Sequence, residues 1–378
     1  MPDPVAAARG FSGRPPAWVF LEEFASFGDL RNATTATGVT RAGRAVDVSF
    51  ELVDPPGVSR WFVHCPVLKK ERGFNGKPQI LNAADALVVM RMLFLCRRGR
   101  VIDYFVYRAG PGKPSLELVP GPCPTVLFPK QVGVVPGGDG GAGDREHYSV
   151  VFPVQRLDPR FELEIFVFSS ESLAWSSRVA RFSKDPETTY GEPVLRLIQW
   201  PVPPPRDVFI DTASPLEARD ATMSDGVIRF VELQLRHNGR CPSYFSNHAT
   251  DHAWTASVWK RATSSVYGWG ISHKADTSSI FADDMRRRSS SDRVLRKMRD
   301  DDAVKELDLN KMVTAGPRLS LQDEDIVYIE ARTKVYSSDS KALLLAVNAR
   351  EERLEAAEQI PLHLRFFYFF PTYLLKVS

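Results

Sequence analysis

Cys241, His248 and His252 come nearest in this chain to a metal site, because a thiolate and two imidazoles four residues apart suit zinc. A closed tetrahedral site needs a fourth ligand, and none is evident beyond the adjacent Asp251. The segment also lacks a second cysteine and any hydrophobic period that would fix its backbone, so it reads as polar loop, with no metal and no cofactor expected. His64 and Cys65 are neighbours, which in a strand turns them to opposite faces and forbids a nucleophile–base dyad. Gly-x-Ser-x-Gly is absent from the chain. Asp323, Glu324 and Asp325 fall at a turn between two β-rich runs, where solvated carboxylates are expected; a glycosidase acid and base would have to oppose each other across a cleft. No catalytic residue is assigned.

Two further groups bear on binding. Trp254, Trp259 and Trp269 could stack on bases or sugars, but in a β protein of this size such rings more often fill the space between sheets, and core is the assignment made. Arg286-Arg-Arg-Ser-Ser-Ser291 has the arginines before serine that basophilic kinases prefer. Phosphate on Ser289 or Ser290 would pair with those arginines or cap a helix expected over Ser291–Arg299. Asp283, Asp284 and Asp300 to Asp302 dilute the run's field, and Lys plus Arg exceed Asp plus Glu by only 49 − 46 = 3, so nucleic acid is not an expected ligand.

The elements that must position these residues are strands. Val46 to Val53 alternates apolar and polar residues, Asp54-Pro-Pro-Gly57 turns, and Ser59 to Cys65 returns. Ala86 to Cys96 and Val101 to Tyr107 read as a hairpin turning at Gly99, with Ser115 to Val119 as a third strand. Tyr148 to Phe152, Phe161 to Phe168 and Trp175 to Phe182 form a second group. A third comprises Ala218 to Met223, the hairpin turn Ser224-Asp-Gly226, Val227 to Leu235 and Trp254 to Trp259. The clearest copy is Leu319 to Arg332, Ala342 to Asn348 and Arg353 to Ile360, a meander of about four strands such as builds a propeller blade. The fold class expected is all-β, a propeller-like array of antiparallel four-stranded meanders with one or two short helices. Residues 1–16 read as a disordered leader, 17–378 as one domain with halves 17–182 and 192–378, and Val132–Asp144 as a flexible linker without the lysine of a phosphate loop.

The order of these segments resembles a family. Arg31 to Ala36, Val53 to Ser59, Val63 to Pro66, Asp103 to Tyr107, Phe166 to Trp175, Glu192 to Arg196, Asp225 to Glu232, Trp254 to Trp259 and Leu319 to Tyr328 are similar to the grass proteins catalogued as domain of unknown function 1618. Phe166 to Trp175 is also similar to the propeller repeats of plant F-box-associated domains. No F-box helix pattern precedes it, so no ubiquitin-ligase role follows. Members of the resembled family carry two more strands where Phe182 to Glu192 stands here, which implies a lost half-blade and an unpaired strand edge nearby.

The four cysteines are scattered, the N-terminus lacks the apolar core of a secretory signal, and Arg91 interrupts the run Ala86 to Cys96, so an intracellular protein, cytoplasmic or nuclear and off the membrane, is expected. The function expected is a protein-interaction or scaffold module, not an enzyme. The loops Val132–Asp144, Arg236–Ala253 and Ser264–Arg288 would present residues such as His248, His252 and Trp269 to a protein partner. Two alternatives stand beside it: an enzyme using a propeller-face pocket with His248 or His252 as base, and a degenerate, poorly folded product. The ligand count predicts that titrating zinc into the purified chain leaves its melting temperature unchanged; a saturable rise would establish the Cys241–His248–His252 site.

Overall fold

A computed structural model describes residues 18–68, 73–96, 99–110, 113–121, 132–137, 147–155, 163–180, 201, 219–224, 226–235, 253–263, 268–280, 312–332, 342–360 and 373–376. The chain divides into two compact units, Met1–Leu197 with Thr372–Ser378, and Ile198–Pro371. The first unit opens with β1 (Trp18–Leu21), β2 (Ser26–Phe27), β3 (Ala36–Val39), β4 (Ala45–Glu51) and β5 (Val58–His64). It continues with β6 (Gln79–Ala84), β7 (Leu87–Cys96), β8 (Gly99–Arg108) and β9 (Ser115–Leu118), then β10 (Gly133–Pro136), β11 (Tyr148–Gln155), β12 (Leu163–Ser169) and β13 (Ala174–Ala180). The second unit holds β14 (Arg219–Ser224), β15 (Val227–Leu235), β16 (Trp254–Ala262), β17 (Gly270–Asp276), the short helix α1 (Thr277–Ile280), β18 (Val313–Leu319), β19 (Ile326–Arg332), β20 (Ala342–Asn348) and β21 (Arg353–Ile360). Finally β22 (Tyr373–Lys376) belongs to the first unit again.

The fold is all-β, and four of its five sheets are antiparallel meanders whose strands pair in chain order: β6 to β9, β10 to β13, β14 to β17 and β18 to β21. The remaining sheet departs from the meander. In it β3, β4 and β5 are antiparallel neighbours, but β1 runs parallel to β5 and antiparallel to β22, and β2 adds parallel to β5.

Alternation explains the packing. On β5 the buried residues Ser59, Trp61 and Val63 share one face, and Phe50 stacks on Trp61 from β4. Trp61 buries its ring fully and donates its indole N–H to Glu22 O at 3.0 Å, so the one polar atom of the ring is satisfied. These side chains meet Val88, Met90, Phe105 and Tyr107 of the next sheet in one apolar layer. The opposite faces of β7 and β8 meet Val134, Val150, Phe152 and Phe168 of the third sheet, and Trp175 donates to Pro120 O at 2.8 Å across that junction. In the second unit a third layer lies between the sheets β14–β17 and β18–β21.

Gly226 adopts φ +71° where Ser224 pairs with Val227, the left-handed backbone a two-residue hairpin needs and the Asp-Gly pair predicts.

Three expectations change. Val132–Asp144 contains β10, and Val132 and Val134 are buried; the neighbouring run of glycines masked a four-residue strand whose apolar residues alternate. Ser264–Arg288 contains β17 and α1, whose polar residues conceal a strand that pairs along most of β16. No pattern in the sequence marks the strands β2, β3, β6, β18 and β22, which are short or lie outside the obvious hydrophobic runs. The leader 1–16, the segment Phe182–Glu192 and the helix expected over Ser291–Arg299 lie outside the described residues. Next to that segment β13 ends its sheet with Ser176 to Val179 exposed.

The alternation on β10 sets an expected contrast. Val134→Asp, at a position 5% exposed, should lower stability by about 2–4 kcal/mol in chemical denaturation, because it buries an unpaired carboxylate. Val135→Asp, at 52% exposure one residue on, should stay within about 0.5 kcal/mol of the parent. Equal effects would return the segment to a linker.

Candidate functional site

Cross-strand partners in a sheet share a face, so the register of the fourth sheet sorts its side chains into two sets. Asp220, Val231, Val258 and His273 are successive partners across β14 to β17, and Arg229 and Lys260 are partners one pair further along. All six look toward the fifth sheet. Farther along, Leu233, Ala256 and Trp254 join Val231 and Val258 against Leu319, Val327, Ile329 and Leu345, so one end of the contact is apolar and the other charged.

The fifth sheet answers this charged end residue by residue. Asp220 Oδ2 accepts the backbone N–H of Leu319 at 2.9 Å, and Arg318 Nη1 lies 3.8 Å from Oδ1. Arg229 donates from Nη2 to Ser320 O at 2.7 Å. Lys260 bonds Glu324, and His273 Nε2 lies 3.1 Å from Asp325 Oδ1, while Arg350 Nε lies 3.3 Å from Asp325 Oδ2. A β-bulge in β18 makes these contacts available. Gly316 takes φ +59° and Pro317 contributes no N–H, so the strand is offset by one residue before Arg318 and Leu319 come to Asp220.

The turn Ser320 to Asp325 is shaped by its own side chains. Ser320 Oγ accepts from the N–H groups of Gln322 and Asp323, and Asp323 Oδ1 accepts from Asp325 N at 2.9 Å. Here the expectation of solvated carboxylates is corrected: Glu324 is largely exposed, but Asp325 is about four-fifths buried and gripped by two sheets. Contacts made in the folded state, and not the turn's composition, decide its role.

Desolvation governs the electrostatics. Burial pushes the Asp220 carboxyl up from its ordinary value, against the pull of Arg318 and the Leu319 N–H. Burial likewise lowers the Arg229 guanidinium, which Glu324, Asp220 and Asp323 partly offset; its Nε and Nη1 are buried without a hydrogen-bond partner. His273 is held below its ordinary value by burial first, with Asp325 and Glu324 pulling it up and Arg350 and Lys260 pushing it further down.

The opposite face of the fourth sheet is apolar at the surface. Ala221, Phe230, Trp259 and Ile271 are cross-strand partners, and Met223, Ile228 and Arg261 form the next row. Phe230 is fully buried beneath Trp259 and Trp269, its ring centroid 5.6 Å and 5.9 Å from theirs. Met223 is 67% exposed and Ile271 61% exposed beside them. On the other side of this row Arg219 pairs with Glu232, which also accepts from Gln234, and Thr255 donates to Asp276.

Of the residues singled out from sequence, Trp254 is core, whereas Trp259 and Trp269 are half-buried on the outer face; the three tryptophans do not form one surface. Cys65 is buried and free, and His64 is partly exposed with Nε2 3.9 Å from Asp29 Oδ2. Cys241, His248, Asp251 and His252, together with Arg286–Arg288, Ser289 and Ser290, lie outside the described residues. Among the described residues no group of three or more His, Cys, Asp and Glu is placed to hold a metal ion, and no helix is long and apolar enough to cross a membrane. Sequence reasoning missed Arg229, Lys260 and His273. The signal was strand parity: Arg229 alternates in phase with Val231 and Leu233, and Lys260 with Val258 and Ala256.

A family model described as "Protein of unknown function (DUF1618)" matches residues 181–328, which takes in the fourth sheet and the start of the fifth. No curated protein matches the chain. Among solved structures, a glycosyl hydrolase from Bacteroides ovatus is 13% identical with a TM-score of 0.25, over 90% of this chain and 87% of that one, a similarity too loose to bear on activity.

The largely but not fully buried imidazole gives a signed pH dependence. A folded-state value below the ordinary 6.5 favours neutral His273, so its contribution is intact above that pH and is lost as pH falls below it. Asp220, raised by burial, works in the opposite sense, so the comparison must isolate the histidine. Between about pH 7.5 and about pH 5.5, the melting temperature of the parent should fall further than that of His273→Gln. Parallel curves would show that His273 does not titrate differently in the folded chain.

Proposed function

We propose that this chain is a protein-interaction or scaffold module and not an enzyme, and that the outer face of the fourth sheet is a contact surface. The observation that carries this is the exposure of Met223 and Ile271 around the half-buried Trp259 and Trp269, on a sheet whose other face is fixed to its neighbour. Apolar and aromatic side chains grouped at a surface are what interface centres are made of, and tryptophan is prominent among binding hot spots. The ionisable groups of the inner face hold two sheets together, a structural use that leaves them no evident part in catalysis.

In this reading the chain works as a rigid frame, in the manner of the grass proteins and F-box-associated repeats it resembles. It acts inside the cell, in cytoplasm or nucleus, on a protein and not on a membrane or nucleic acid. A buried, unpaired Cys65 accords with a reducing compartment.

The test is affinity capture with the intact chain, with Met223→Asp/Ile271→Asp, and with Val67→Asp as an equally exposed control in the first unit. Proteins retained by the parent and the control should fall at least tenfold with the double variant, whose fold is checked by its melt. An unchanged set of captured proteins would defeat the reading.

A further inference from the structure

We propose that β13, the free edge of the third sheet, is a self-association site. It pairs antiparallel with β13 of a second copy about a two-fold axis at Ser177, so that two four-stranded sheets join into one of eight. The site belongs to the first unit and does not rest on the contact surface read on the fourth sheet.

A strand at the edge of a sheet shows a row of unpaired N–H and C=O groups, and proteins guard such rows with charges, bulges, short strands or a covering element. The other three meanders end in guarded strands. β9 has only four residues, and Gly38 of β3 lies so close that an added Cβ would come within 2.9 Å of Leu116 O. β17 carries a bulge, with Ser272 skipped between the paired residues Ile271 and His273, and an exposed Lys274. β21 carries a bulge at Glu355, and its Arg353 is paired with Glu351 and Glu355. β13 has none of these devices. It pairs with β12 residue for residue from Ala174 to Ala180 without a register shift, and it contains no proline. Its one charged side chain is Arg178. Ser176 to Val179 are all exposed, and the apolar residues Leu173 and Val179 stand in water toward its two ends.

The sequence of this edge selects its occupant. Residues directly opposite in an antiparallel pair share a face, where aromatic and β-branched partners stabilise the sheet and like charges destabilise it. Setting Ala174-Trp-Ser-Ser-Arg-Val-Ala180 against itself about Ser177 brings Trp175 of each copy opposite Val179 of the other. It also brings Arg178 opposite Ser176, and Ser177 opposite itself. Trp175 is half-buried on Phe152 and Phe168, so Val179 of the second copy continues that apolar face across the junction. Neighbouring registers are worse. An axis at Arg178 sets that charge against its own copy, and an axis at Ser176 leaves Trp175 opposite Ser177. The two-fold pairing occupies both free edges, so the assembly closes at two copies.

The experiment is sedimentation velocity on the full chain over a dilution series, and a concentration-dependent dimer is expected. Ser177→Lys places two like charges face to face at the axis, and Ser177→Glu does the same with the opposite sign. Each alone should weaken association at least about tenfold, and an equimolar mixture of the two should restore it. Ser176→Glu, facing Arg178 across the junction, should tighten the dimer, and Ser177→Ala should leave it unchanged. All four substitutions fall at exposed positions, so their melting temperatures should match the parent. A monomer at every concentration, a dimer indifferent to Ser177→Lys, no recovery in the mixture, or assemblies that keep growing with concentration would overturn the proposal. So would a dimer lost with Ile271→Asp instead, which would put the second copy on the fourth sheet. A monomer whose amides from Ser176 to Val179 resist hydrogen exchange would overturn it in favour of cover by the chain itself.

Discussion

A charge taken out of water between two sheets costs several kcal/mol unless another group meets it there, and that constraint organises the second unit of this protein. Asp220 and Arg229 leave the fourth sheet toward backbone atoms of Leu319 and Ser320 in the fifth, with the largely neutral His273 set beside Asp325 and the partly exposed Lys260 beside Glu324. Apolar side chains alone would let the two layers slide, because hydrophobic contact is not directional. The charged end sets their register: moving one layer by a residue would strand a carboxylate or a guanidinium without its counterpart. The bulge at Gly316 and the serine-braced turn at Ser320 exist in the same frame, since both present backbone groups to side chains of the other sheet.

The two faces of the fourth sheet show how one amphipathic strand pattern serves two purposes. On β15, odd-numbered residues from Arg229 to Leu233 face the neighbouring sheet, while Ile228 and Phe230 carry the outer face. Phe230 is fully buried, with Trp259 and Trp269 packed on its ring and the Arg219 guanidinium over it. An aromatic cluster of this kind is rigid and cheap to order, so a partner arriving there loses little conformational freedom in fixing it.

Most strands were legible because period-two alternation needs only neighbouring residues. β4, β5, β7, β8, β11 and β12, like β19 to β21, fall close to where their hydrophobic runs lie. Strands whose identity depends on distant pairing were not. β10 is four residues beside a glycine run, and β17 is polar apart from Ile271 and Ala275; each is fixed by the strand it joins. The same distinction divides the site. That Trp254 is core and that Cys65 and His64 diverge followed from local geometry, whereas the engagement of Asp325 by His273 and Arg350 joins residues from three separate strands and turns. No local pattern encodes such a meeting.

The pairing of β1 with β22 joins Trp18 to Lys376, residues at nearly opposite ends of the sequence. Translation emits the first of these strands long before the second, on the order of tens of seconds at about 5–20 residues per second. Throughout that interval one flank of the opening sheet has hydrogen-bonding groups and no strand to receive them. Until Tyr373 to Lys376 emerges, that flank of Trp18 to Leu21 is open to strand addition from another polypeptide on the same message.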